Sequence, residues 1–134
     1  SMFEYSIIHI LQVLIALFLG IAMTQSGFDK IIDWKGNKSF LIEHFSKTFL
    51  SQFVTPLLLV VLILELAGGI ICFIGVGEVF IYNNNQLIKV GLIIIAIDLI
   101  SLFFGQRLAK DYDGAAVLVN YFILTIIGLL TFTI

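Results

Sequence analysis

Apolar residues fill four long blocks of the chain, and the polar residues that interrupt them recur at helical spacing. Residues 56–77, PLLLVVLILELAGGIICFIGVG, are apolar throughout except for one carboxylate, Glu65, near the middle. At about 1.5 Å rise per residue this block spans the roughly 30 Å hydrocarbon core of a bilayer, which predicts a transmembrane helix. Three more blocks, about residues 6–27, 86–105 and 114–134, have the same character. In the first, His9, Gln12, Ala16, Gly20, Thr24 and Gly27 are three or four residues apart and so share one stripe, leaving Ile, Leu, Val and Phe for lipid. Glu65, Gly68, Gly69, Cys72 and Gly75 form such a stripe in the second block, and Gly91, Asp98, Ser101 and Gly105 in the third. The fourth is interrupted by Asn120, Tyr121, Thr125, Gly128 and Thr131. Small residues let membrane helices approach closely, so Gly20, Gly27, Gly68, Gly69, Gly75, Gly91 and Gly105 are expected at helix contacts, with both acids turned inward.

The polar stretch between the first two blocks contains its own pattern. Asp29 and Lys30 follow the first span, Lys30 and Asp33 share a helical face, and Trp34 suits the interfacial belt. Lys35, Gly36, Asn37 and Lys38 read as a turn. Over residues 39–53, Phe40, Leu41, Phe45, Phe49 and Phe53 alternate with Glu43, Ser46, Lys47 and Ser51, which predicts an amphipathic helix on the membrane surface, capped by Asn37 or Ser39. Thr55 is the expected N-cap of the second span, with Pro56 at its first helical position. Gly77, Glu78 and Asn83 to Asn85 read as a short polar turn.

Composition places these blocks in a membrane. The chain is 60% hydrophobic and 12% charged with a mean hydropathy of +1.15, against about 25% charged residues in a soluble domain. The predicted fold is all-α: one polytopic domain over residues 1–134, a four-transmembrane-helix bundle with an interfacial helix between the first and second spans. A net charge of -2 and the lack of a basic run argue against a nucleic-acid partner. Cys72 is the only cysteine, which excludes an internal disulfide and a C-x-x-C motif. The first block lacks the basic n-region and cleavage site of a signal peptide and is expected to remain as a span. Ser1, ahead of Met2, is expected to be an added residue. The first and third loops hold Lys30, Lys35, Lys38, Lys47, Arg107 and Lys110, and the opposite side only Lys89. The positive-inside rule therefore predicts cytoplasmic first and third loops and both termini outside.

That topology puts the two acids at one depth. Glu65 lies about 13 Å from the cytoplasmic start of its span and Asp98 about 10 Å from the cytoplasmic end of the next. With the two spans as neighbours, Glu65 and Asp98 are expected to share an inward pocket, with Asp29, Lys30, Gln106 and Arg107 at its mouth. The functional reading is a proton-handling or ligand-binding dyad, because intramembrane acids mark pathways and sites. The plain reading is a set of structural bridges to Lys30, Arg107 or backbone. Lys30 and Arg107 fit an anion clamp as well as topology anchors. His9 and His44 fall on opposite sides of the membrane, so no haem or metal site is expected, and no Walker, dinucleotide, HExxH or G-x-S-x-G pattern is present.

The segments SGFDKIIDW, His44-Phe45, LELAGGI and FGQRLAKDYDG, in that order, resemble the DoxX family of small bacterial membrane proteins over nearly the whole chain. The resemblance implies a four-helix bundle in the bacterial inner membrane, related to the membrane subunit of a thiosulfate:quinone oxidoreductase, with Gly27, Lys30, Glu65, Gly68 and Gly69 in the recurring motifs. It supplies no catalytic set, and the single Cys72 weakens direct sulfur chemistry. The function expected is a membrane subunit of a redox system that binds a quinone-like or lipid ligand beside Glu65 and Asp98 while a partner protein transfers electrons. The alternatives are a membrane scaffold or assembly factor, which includes homo-oligomers, and proton-coupled transport, for which four spans leave little room without a dimer.

Overall fold

Each apolar block folds as one helix, and in a computed structural model the helices stand side by side as a four-span bundle. The structure describes residues 6–134, so the expectation for Ser1 lies outside the described residues. In chain order the helices are α1 (Ile7–Ile32), α2 (Trp34–His44), α3 (Val54–Tyr82), α4 (Gln86–Leu108) and α5 (Tyr112–Leu130). All but α2 are long and apolar enough to cross a membrane. α3 packs along both α1 and α4, α4 packs along α5, and α1 touches α5 and α4 more lightly. The polar segment between α1 and α3 lies at the same end of the bundle as the α4–α5 turn.

The helices outrun the apolar blocks that announced them. α3 has 29 residues, about 43 Å of helix, so its ends reach past the roughly 30 Å apolar core. Gly77 and Glu78 are accordingly helical, and the turn begins only at Asn83 (φ 52, ψ 39), a left-handed position that asparagine adopts more readily than most residues. Glu78 Oε1 accepts the Leu87 N–H at 3.2 Å, and Asn84 Oδ1 accepts that of Gln86 at 3.0 Å, so the turn caps the start of α4.

The segment before α3 departs from expectation in three places. Residues 35–38 are helix, because the Asp33 carboxylate accepts the Gly36 N–H at 3.2 Å and its carbonyl accepts from Asn37 Nδ2 at 2.8 Å; Asp33, not Asn37 or Ser39, is the cap. The interfacial helix over 39–53 is broken after His44. Thr48 Oγ1 donates to the Phe45 carbonyl at 3.0 Å and accepts from Leu50 N at 3.2 Å, local bonds that compete with helix continuation. A 3-10 turn, Phe49–Phe53, then leads directly into α3. Thr55 and Pro56 lie within the first turn of α3, whose N-cap position is Phe53 and has no side-chain bond.

Candidate functional site

Glycines set the spacing of three helices and thereby place the acids. A methyl group built on Gly69 would lie against the Thr24 hydroxyl, 3.0 Å from the Thr24 nitrogen and 3.1 Å from the Gly20 carbonyl. Gly20 lies under the Phe73 ring and Gly27 under Leu66, so α1 and α3 touch nearly backbone to backbone along this seam. On the other side of α3 a methyl group on Gly75 would sit 2.7 Å from Ile88 N, one on Gly91 would sit 2.7 Å from Cys72 Sγ, and one on Gly68 would sit 2.7 Å from the Ile95 side chain. The opposed pairs are therefore Gly75 with Ile88, Cys72 with Gly91, and Gly68 with Ile95. The next step of this antiparallel register brings Glu65 opposite Asp98. Gly105 differs from the other glycines, since its neighbour is the Phe45 ring at 3.5 Å rather than another span.

Glu65 and Asp98 are 1% and 0% exposed. Lys30, in the last turn of α1, turns back along its helix as Cβ geometry favours. Its ammonium lies 3.0 Å from Glu65 Oε1, 3.1 Å from Oε2 and 2.8 Å from Ser26 Oγ. Three contacts match the three N–H bonds of a lysine. Asp98 receives none of them. Both its oxygens are buried without a hydrogen-bond partner, although the carboxyl is within electrostatic reach of Glu65 and Lys30. Thr24 Oγ1 is also buried and unpaired. Buried polar atoms in proteins are nearly always bonded, so the unpaired carboxyl of Asp98 is the feature here that requires an explanation.

The remaining expected site residues lie elsewhere. Asp29 is exposed on α1. Gln106 Oε1 is 2.9 Å from His44 Nε2, which is itself 3.6 Å from Asp111 Oδ2. The Arg107 guanidinium stacks 4.5 Å over the Tyr112 ring. These residues tie the end of α2 to the α4–α5 turn and leave Lys30, among the described residues, as the single cation on the acids. The cause is the break after His44, which carries the imidazole to α4. Ser101, expected inward, is exposed and donates to the Ile97 carbonyl at 2.9 Å.

Sequence reasoning missed Ser26, although its position one turn before Lys30 was a usable signal. It also missed a polar knot at the other end of the bundle. There Gln12, fully buried, donates to Thr131 Oγ1 at 2.9 Å and accepts from Asn85 Nδ2 at 3.0 Å. Between α4 and α5 runs an apolar groove of about 180 Å³ lined by Leu99, Ile100, Phe103, Leu118, Val119 and Phe122. Its lining is apolar throughout, offers no side-chain hydrogen-bond donor, and includes neither acid. No family model, curated protein or solved structure matches this chain.

Proposed function

We propose that this chain is a proton-handling subunit of a membrane complex, of the kind its DoxX-like motifs suggest. In this reading Asp98 is the exchanging group, and the Lys30–Glu65 ion pair supplies the balancing charge. Asp98 carries the proposal: it is fully buried, opposite Glu65, and unpaired at both oxygens. An acid serving only as a bridge would have captured a cation, as Glu65 has. One ammonium facing two carboxylates leaves an excess negative charge in a low-dielectric interior, whereas one proton shared by the carboxyls makes the centre neutral. Uptake and release of that proton is the chemistry this arrangement offers. Lys30, with a side chain 16% exposed, is the least buried member of the centre. It faces the end of the bundle that the basic loops assign to the cytoplasm. Electron transfer falls to a partner protein, and no step is given to a quinone, because the groove has nothing to hold its head.

The test is infrared difference spectroscopy of the protein in lipid during a pH titration. A protonated-carboxyl band that titrates in the wild type, disappears in Asp98→Asn and weakens in Glu65→Gln, where one ammonium then faces one carboxylate, is the expected result. A wild type without such a band, or a band untouched by Asp98→Asn, overturns the reading. The Lys30–Glu65 pair also favours a scaffold, in which the acids only hold helices together. That reading predicts that Glu65→Gln lowers abundance in the membrane, and that the wild type co-purifies with a stoichiometric partner.

A further inference from the structure

We propose that α5 carries a homodimer interface centred on Asn120, in which a second copy of this chain packs its own α5 in parallel and the two Asn120 amides pair across a two-fold axis normal to the membrane. Asn120 lies about 12 Å along α5 from Tyr112, close to the midplane of a 30 Å core. Its side chain is exposed, and its amide has no hydrogen-bond partner among the described residues. In hydrocarbon there is no water to satisfy it. The exposed hydroxyl of Ser101 on α4 has solved the same problem internally by bonding the Ile97 carbonyl. Asn120 has not, so its partner must come from outside the chain.

The cover of α5 points the same way. Only 17% of its apolar window is buried, against 33–39% for the other spans. It is flanked along its length by α4 and only lightly by α1. Asp113, Ala116, Asn120, Ile123 and Ile127 recur at three and four residues and are all exposed, forming one continuous outward stripe. Ala116, one turn from Asn120, permits close approach of a second helix. Asp113 falls at the headgroup end of the stripe, where water screens it from its mate.

A second copy fits this stripe because a carboxamide carries both a donor and an acceptor. Two amides related by a two-fold axis satisfy one another completely, which is the self-complementarity that a symmetric contact requires. All copies insert with one orientation, so the axis runs along the membrane normal and like residues meet at like depth.

Cross-linking in native membranes tests this directly. Asn120→Cys should give an oxidant-induced band at twice the 14.9 kDa chain mass, whereas Ile97→Cys, on the outer face of α4, should not. In lipid nanodiscs or mild detergent, Asn120→Leu should shift the equilibrium about tenfold toward monomer, and Asn120→Gln should retain the dimer. A monomeric wild type, a dimer indifferent to Asn120→Leu, equal cross-linking at Ile97→Cys, or a cross-link to a protein of different mass would each overturn the proposal.

Discussion

Replacing Lys30 by methionine removes the ammonium that pairs with Glu65 while keeping most of its apolar stem. Glu65, 2% exposed at its side chain, loses the contacts of both oxygens at once. Its carboxyl then joins that of Asp98, whose two oxygens are already unpaired. Deleting one partner of a buried ion pair costs about 3–5 kcal/mol, because the remaining charge is left without compensation. Replacing both partners with neutral groups of similar size costs far less, since the desolvation penalty disappears with the charges. We therefore expect Lys30→Met to lose about 3–5 kcal/mol and Lys30→Met/Glu65→Gln to lose under about 2 kcal/mol, the second substitution recovering stability lost in the first. The assay is reversible unfolding in mixed micelles followed by far-UV circular dichroism. A loss below about 0.5 kcal/mol for the single variant, or a double variant as unstable as the two singles combined, would refute the reasoning.

Two further outcomes follow from the packing. Gly69→Ala pushes a methyl group against the Thr24 hydroxyl and the Gly20 carbonyl, backbone that has no room to yield, and should cost about 1–3 kcal/mol in the same assay. Gly77→Ala meets nothing within 4 Å in the same helix and should be neutral or stabilising by up to about 1 kcal/mol, so equal effects at both positions would contradict the seam described. Gln12→Leu strands Thr131 and Asn85 at the far end of the bundle and should cost about 1–3 kcal/mol without altering the Asp98 carboxyl band.

The four spans were legible because a run of apolar residues has few other fates, and glycine stripes at helical spacing marked the seams. The level shared by Glu65 and Asp98 was also readable: α3 and α4 meet in a tight antiparallel turn, so depth in one fixes depth in the other. The direction of Lys30 was only half readable: the expected pocket mouth and the bridge reading put it at the acids, and the topology-anchor reading turned it outward. A lysine near a span end either snorkels outward or folds inward, and the choice depends on how closely α1 and α3 approach at Gly27 and Leu66, a tertiary fact. Gln106 and Arg107 were misplaced for the same kind of reason. Their partners, His44 and Tyr112, lie on segments whose path is set by Thr48 and by the cap that Asp111 forms on Gly114 at 2.9 Å. Helix ends were misjudged because hydropathy marks where the membrane stops, whereas hydrogen bonding and caps decide where the helix does.

The bundle divides its polar groups unevenly, and that division makes the two proposals separable. α3 is the hub, with Glu65, Gly68 and Gly69 committed to α1 and α4, so the chemistry of the Lys30–Glu65–Asp98 centre is enclosed by three helices. Among the described residues α5 makes no hydrogen bond or ion pair with that centre, and its membrane-embedded amide, Asn120, is exposed. A device for exchanging protons needs a protected polar centre with a route to water, whereas association needs an exposed face that is incomplete by itself. On this architecture Asn120→Leu should weaken the dimer and leave the Asp98 band in place, and Asp98→Asn should abolish the band and leave the dimer intact. Were either substitution to change both readouts, the centre and the α5 face would be coupled through α4 or α1, the helices that touch both α3 and α5.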